Sequence, residues 1–279
     1  MPDLVVTSAG NPRLKALTAL RRRRTRDETR TTVVEGHEEL ALALGAGVRP
    51  LTVFVCPELY SPAGRAGRQE IGQQEDVVSH ARRLGAEVVR LSRGAFEKVA
   101  YREGPDGLIA IVPTVGRALA AVDLGPDPLV LLSQGVEKPG NLGAMLRTAD
   151  AAGAAAVVAA DPVTDWGNPN VVRASKGTVF SVPVCAATTH ETLAWLTRHE
   201  VTLVVTTPDT DLLYTDVDLS GAVAVAVGAE KHGVDDTLLS AAAHRVRIPM
   251  LGKVNSLNVA ASAAVVVYEA VRQRSRPGG

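Results

Sequence analysis

The sequence predicts an α/β protein in two parts: a small α/β domain over residues 1–113 and, after a linker over 114–128, a parallel-sheet domain over 129–279. Three observations carry this. The 279 residues are roughly twice the ~150 typical of one domain. Apolar residues make up 46% and charged residues 22%, enough for a sizeable core, but with nine aromatics the packing falls to Ala, Val and Leu. In the second half, short apolar runs alternate with helical segments, the pattern of parallel strands joined by crossover helices.

Asn11 and Pro12 begin the first element, reading as a helix cap followed by proline at the first helical position, with Leu14, Leu17 and Leu20 as one apolar stripe. The arginines that follow prolong that helix. From Arg13 to Arg30 there are eight basic residues, four of them consecutive (Arg21, Arg22, Arg23, Arg24), against Asp27 and Glu28. A solvated helix end and a nucleic-acid contact are both open for such a run. Next come a strand (Thr32–Val34), a helix (His37–Leu44), a strand (Leu51–Cys56), a helix (Asp76–Leu84) and strands at Glu87–Leu91 and Leu108–Val112. Gly116, Gly125, Pro126 and Pro128 mark the linker.

The second domain has apolar runs at Leu129–Leu132, Ala155–Ala159, Val201–Thr206, Ala222–Val227 and Val246–Ile248. Its last helix, Leu257–Arg272, is apolar around nearly its whole circumference, so it must be covered on several sides, either sandwiched inside one domain or covered partly by a second copy; in the second case Val266 and Ala270 are expected to face that copy.

Composition also excludes classes. Thirty basic and thirty acidic residues give zero net charge, so any basic site is local. Cys56 and Cys185 stand far apart without a C-x-x-C pattern, which indicates neither a disulfide framework nor a zinc knuckle and suits the cytosol. The first twenty residues lack the apolar core of a leader, and the longest apolar runs fall short of the ~18 residues of a membrane span. No metal-ligand cluster is evident. Gly45-Ala46-Gly47 lacks the third glycine of a dinucleotide fingerprint, Val234 stands where a phosphate loop needs lysine, and no serine occupies a G-x-S-x-G elbow.

Three glycine-rich polar segments remain, each after a predicted parallel strand, where open α/β sheets place their ligands. They are Pro139-Gly140-Asn141-Leu142-Gly143-Ala144-Met145-Leu146-Arg147-Thr148, then Val227-Gly228-Ala229-Glu230-Lys231-His232-Gly233, then Ile248-Pro249-Met250-Leu251-Gly252-Lys253-Val254-Asn255-Ser256-Leu257-Asn258. In this order they resemble the SpoU-type RNA ribose 2′-O-methyltransferases of the SPOUT class, over most of residues 129–272. The first half resembles that family's substrate-binding domain through Ser8-x-x-Asn11-Pro12-x-x-Lys15, Val34-Glu35-Gly36 and Pro105-Asp106-Gly107. Three positions depart from the pattern: Lys138 where an Asp-Pro pair often precedes the first motif, Ala229 where Ser or Asn is frequent, and Asp106 where Gln is usual.

The resemblance implies a second domain tied in a deep trefoil knot, an exception to unknotted topology. It implies S-adenosyl-L-methionine as cofactor, held by Thr206, Thr207, Gly228, Ile248, Met250, Ser256 and Leu257, and a catalytic set of Arg147, Asn141, Glu230, Ser256 and Asn258. Arg147 is open as base or as phosphate anchor, Asn141 as ribose contact or helix cap, and Glu230 as anchor of Arg147 or of the motif loops. For Ser256 and Asn258, capping competes with ligand contact. The implied partners are structured ribosomal RNA, with Arg21 to Arg24 in contact with it, and a second copy in a homodimer, with neither membrane nor metal. Arg- and Ala-rich composition further resembles the actinomycete enzymes, avilamycin-resistance methyltransferases among them, that protect large-subunit (23S) ribosomal RNA from antibiotics. Transfer RNA methylation and a non-catalytic RNA-binding protein of the same fold are the alternatives.

Overall fold

The structure, a computed structural model, describes residues 4–8, 10–60 and 68–275. In chain order its elements are β1 (Leu4–Val6), α1 (Pro12–Ala19), α2 (Arg23–Thr29), β2 (Thr31–Glu35), α3 (His37–Gly45), β3 (Thr52–Val55), α4 (Arg68–Arg83), β4 (Glu87–Leu91), α5 (Arg93–Val99) and β5 (Leu108–Pro113). Then follow β6 (Leu129–Gln134), α6 (Pro139–Ala151), β7 (Ala156–Ala160), α7 (Pro169–Ala174), β8 (Val184–Ala187), α8 (Thr189–Arg198), β9 (Thr202–Thr206), β10 (Val223–Gly228), α9 (Asp236–Ala241), β11 (His244–Val246) and α10 (Val259–Arg274).

The chain divides into two compact units, residues 1–115 with 167–181, and residues 116–166 with 182–279. Two stretches fall differently from the sequence reading. Residues 116–128 are not a free linker: Val122 and Leu124 are buried in the core of the second unit, and Arg117 bridges to Cys185. Residues 167–181, which connect β7 to β8, group with the first unit, where α7 lies against β2 and Thr32 Oγ1 donates to the Gly167 carbonyl.

In the first unit a five-stranded sheet runs β1-β4-β3-β5-β2, parallel from β1 to β3 and antiparallel at β5 and β2. Its N-terminal helix starts as the sequence predicts, with Asn11 Oδ1 accepting from Arg13 N at 2.9 Å and Leu14 and Leu17 buried. It does not continue through the arginines. The helix stops at Ala19, and Arg26, itself buried, folds back so that Nη1 donates to the carbonyls of Leu20 (2.9 Å) and Arg21 (3.0 Å). Those acceptors would otherwise be orphaned at a helix end, so their capture favours a break over continuation. Asp106 of the third N-terminal motif accepts from the N–H of His37, the residue after Gly36 (2.7 Å), and from Arg102 Nη2 (2.8 Å), and Gly107 has φ +85°, where a Cβ would overlap the Cys56 carbonyl.

The second unit has an all-parallel six-stranded sheet, β11-β9-β10-β6-β7-β8, as the alternating pattern predicts. Sequence reading missed β8, because Pro183 and short Ala-rich runs hide a strand of four residues. Helix α10 packs against α6, β6 and β10, and its C-terminal end is tied down where Arg274 donates to the carbonyls of Asp127 (2.8 Å) and Leu219 (3.2 Å). Contrary to the sequence expectation, Val266 and Ala270 face inward and are fully buried within the chain. The outward stripe is instead Ala261, partly exposed Val265, and Tyr268 at 48% exposure, continuous in sequence with exposed Leu251, Val254 and Leu257.

Candidate functional site

The site forms where β6, β9 and β10 end. The chain runs outward from β6 through β7 to β8, then later returns to pair β10 with the other edge of β6, so the strand order switches at β6. Carboxyl ends at such a switch are where open α/β sheets hold ligands. A cavity of about 390 Å³ opens there, within the roughly 300–1,000 Å³ of small-molecule sites. Thr206, Thr207 and Pro208 line it from the end of β9, residues 227–231 and 233 from the end of β10, and Ile248 and Met250 from the segment after β11. Asn255, Ser256 and Leu257 close it from the loop before α10, with Val259 and Ser262 from the helix itself. Thr206 Oγ1 is buried there without a protein partner.

Gly228 shapes this cavity. A Cβ at that position would overlap the Gly233 carbonyl group and the Val234 nitrogen, so the loop folds back directly over it. Gly233 N donating to Ala229 O at 2.8 Å closes the loop. On the loop crest stands Glu230. Asn141 Nδ2 donates to its Oε1, and Asn258 Nδ2 donates to Asn141 Oδ1 at 3.1 Å. Asn258 also caps α10, its Oδ1 accepting from Ala260 N at 3.0 Å, and Lys138 Nζ lies 3.7 Å from Glu230 Oε1. Three segments far apart in sequence, the first turn of α6, the loop after β10 and the start of α10, are thus joined by directional side-chain bonds at the rim of one cavity.

Covalent catalysis by cysteine has no support. Burial pushes the Cys185 thiol up to about 11 and raises that of Cys56, so neither supplies a thiolate. Among the described residues, no group of three or more His, Cys, Asp or Glu is placed to hold a metal ion.

Comparison with known proteins joins this geometry to a family. Residues 128–268 match the SpoU rRNA methylase family, and residues 11–110 match the MRM3-like substrate binding domain. The chain belongs to the SpoU rRNA methylase family. One relative is the 23S rRNA (guanosine(2553)-2′-O)-methyltransferase RlmP of Bacillus subtilis, 30% identical over 94% of this chain and 97% of its own. Among solved structures, an RNA 2′-O ribose methyltransferase is 40% identical, with a TM-score of 0.82 over 97% of this chain and 99% of the other. The SpoU methyltransferase AviRb from Streptomyces viridochromogenes, in complex with AdoMet, is 26% identical, with a TM-score of 0.82 over 95% and 99%.

Within this SpoU methylase, the residues singled out from sequence fall into three groups. Thr206, Thr207, Gly228, Ile248, Met250, Ser256 and Leu257 share the cavity, and Asn141, Glu230 and Asn258 form the hydrogen-bonded triad. Asn141 does not cap α6, whose cap position is Lys138, whereas Asn258 does cap α10 and Ser256 does not. Arg147 stands apart. It is exposed on α6, six residues after Asn141, and among the described residues it makes no hydrogen bond or ion pair, so Glu230 does not anchor it.

The four consecutive arginines diverge. Arg21 Nη2 donates to the carbonyls of Val99 (3.2 Å) and Ala100 (3.1 Å), and its guanidinium lies 4.6 Å from the Tyr101 ring centre. Arg23 and Arg24 pair with Asp27 (3.7 Å) and Glu28 (2.7 Å) one turn on. Arg22 and Lys15 are exposed beside Arg21, in a surface groove also lined by Leu14, Thr18 and Ala19. Sequence reasoning missed Asn255, Lys231 and Ser262 as lining residues. Ser262 was within reach, since it lies one helical turn after Asn258.

Proposed function

We propose that this chain transfers the methyl group of S-adenosylmethionine to a ribose 2′-hydroxyl of large-subunit ribosomal RNA. The observation that carries the reading is the cavity at the ends of β9 and β10 with the Asn141–Glu230–Asn258 triad on its rim. Membership of the SpoU rRNA methylase family and likeness to RlmP and to the AdoMet complex of AviRb support it.

The cavity fits the cofactor. The partnerless Thr206 hydroxyl and the backbone at Gly228 suit a polar adenosyl and amino-acid frame, while Ile248, Met250 and Leu257 give apolar cover. When bound, the cofactor supplies a sulfonium methyl whose departure leaves a neutral thioether. The chain's task is then to place a ribose hydroxyl in line, and orientation of this kind is a large part of catalysis. Asn141, which donates to Glu230, and Asn258, which donates to Asn141, each have one amide hydrogen left over, and these donors hold the ribose. An exposed guanidinium offers five donors and no lone pair to take a proton, so Arg147 is assigned the phosphate beside the reacting ribose. Incubating the protein with S-adenosylmethionine and ribosomal RNA in excess chelator, then identifying the methylated atom, tests the reading.

In the first unit, the RNA contact is assigned to the groove at Lys15 and Arg22, with Arg21 held in place by its carbonyl bonds. Replacing Lys15 and Arg22 by glutamine together should lower the slope of log affinity against log salt by roughly 0.7–0.9 per residue, with cofactor affinity unchanged. An unchanged slope removes the groove from the RNA path.

A second copy is assigned to the outward stripe of α10, whose apolar Ala261, Val265 and Tyr268 lack cover in one chain. Val265→Asp should dissociate the dimer in light scattering and reduce methylation with it. An active monomer at assay concentration contradicts that assignment. The trefoil knot implied by the resemblance belongs to the same reading of the second unit, and so does a cytoplasmic setting, where ribosomal RNA is reached. Antibiotic protection is the finer reading, supported by the Arg- and Ala-rich composition, and it follows if the methylated ribose lies where a drug binds the ribosome.

A further inference from the structure

The end of β6 carries a polar chain, buried at Gln134 and Thr189, that the site described above leaves unused. Gln134, the last residue of β6, is 6% exposed and lies in register with Gly228. Its Nε2 donates to Thr189 Oγ1 at 2.7 Å, and its Oε1 accepts from the backbone N–H of Asp235 at 2.9 Å. Thr189, the first residue of α8, donates its hydroxyl to Asp161 Oδ2 at 2.6 Å. Asp161 follows β7, and Asp235 caps α9, where the loop from Gly228 ends.

The chain has a direction. An ionised carboxylate only accepts, so the single hydroxyl proton of Thr189 goes to Asp161 and its lone pair faces Gln134. The Gln134 amide must then turn its NH₂ toward Thr189 and its oxygen toward Asp235 N–H. The Gln134–Thr189 bond is buried and thus poorly screened, so it holds more firmly than an exposed one, and the bonds to Asp161 and Asp235 at either end are part-buried. The entry of the loop is fixed by the pairing of β10 with β6, and its exit is fixed by Gln134.

We propose that Gln134 is a positioning residue for the cofactor loop. The Asp161–Thr189–Gln134 chain holds the exit of residues 229–235, keeping Glu230 and Lys231 at the cavity and Glu230 in reach of Asn141 before any ligand arrives. The inference rests on reading that cavity as the S-adenosylmethionine site.

Gln134→Met keeps the length of the side chain and removes both bonds, Thr189→Val removes the hydroxyl, and Thr189→Ser restores it. Thr192→Val is the control: its buried hydroxyl bonds Thr188 O at 2.9 Å in the same helix but lies outside the chain. Amide hydrogen exchange across 229–235 is measured without cofactor, and S-adenosylmethionine affinity by calorimetry. Gln134→Met and Thr189→Val should speed exchange in that loop and weaken cofactor binding, each by roughly tenfold, the scale of one or two lost buried hydrogen bonds. The KM for cofactor should rise while kcat at saturation stays nearly constant, and Thr189→Ser should recover both. Loop exchange unchanged in Gln134→Met and Thr189→Val, or altered as much by Thr192→Val, overturns the inference. Because exchange is read without cofactor, it decides the inference separately. A wild-type protein that binds no S-adenosylmethionine overturns the functional reading instead.

Discussion

Arg147→Ala should lower methyl transfer by on the order of 10²-fold or more, the loss expected when a reacting group is no longer held in position, while the fold and cofactor affinity stay intact. The residue is exposed, makes no hydrogen bond or ion pair among the described residues and does not line the cavity, so its removal leaves no unpaired charge behind. Its cost to stability should therefore stay within the roughly 0.5 kcal/mol of ordinary surface changes. Arg147→Lys should recover little, because a point charge does not reproduce a planar fork with parallel donors. Initial rates with saturating RNA and cofactor check this. Turnover within about tenfold of wild type would remove Arg147 from the reacting end of the substrate.

Gly228→Ala should abolish tight binding of S-adenosylmethionine. The added methyl group meets backbone atoms of Gly233 and Val234, not the flexible tip of a side chain, so the loop over the cavity has to move. Overpacking of this kind costs about 1–3 kcal/mol, and where the displaced loop is the binding wall the cost appears as lost affinity, about tenfold or more. Calorimetry in excess chelator gives both halves of the comparison, with wild type binding and Gly228→Ala binding at least about tenfold more weakly. Wild-type binding that vanishes on chelation would introduce a metal where the described residues offer no ligand group.

Much of this molecule is readable from its residues, and the parts that are not have physical reasons. The buried parallel strands of the second unit announce themselves as apolar runs, since both faces of β6 and β10 are covered. The start of α1 is legible because Asn11 and Pro12 carry local instructions for a helix cap. Its end is not, because the break depends on Arg26 reaching back to two carbonyls, a contact that no local pattern encodes. The inward face of α10 is equally hidden: with apolar residues all around, periodicity cannot say that Val266 and Ala270 are buried within the chain and Tyr268 is not. At the site, the three motif segments point to the cavity as a whole. That Asn141 bonds Glu230 and Asn258, while Arg147 stands clear of both, is a matter of side-chain reach that spacing does not supply.

The most direct test of the central claim is nucleotide-resolution mapping of ribose 2′-O-methylation on ribosomal RNA treated with the purified protein and S-adenosylmethionine, with Arg147→Ala as the matched control. One new 2′-O-methyl group is expected in the large-subunit RNA, formed in the presence of chelator and lost with the control. Methylation of a base or of transfer RNA, or cofactor binding with no methyl transferred to any RNA, would contradict that claim.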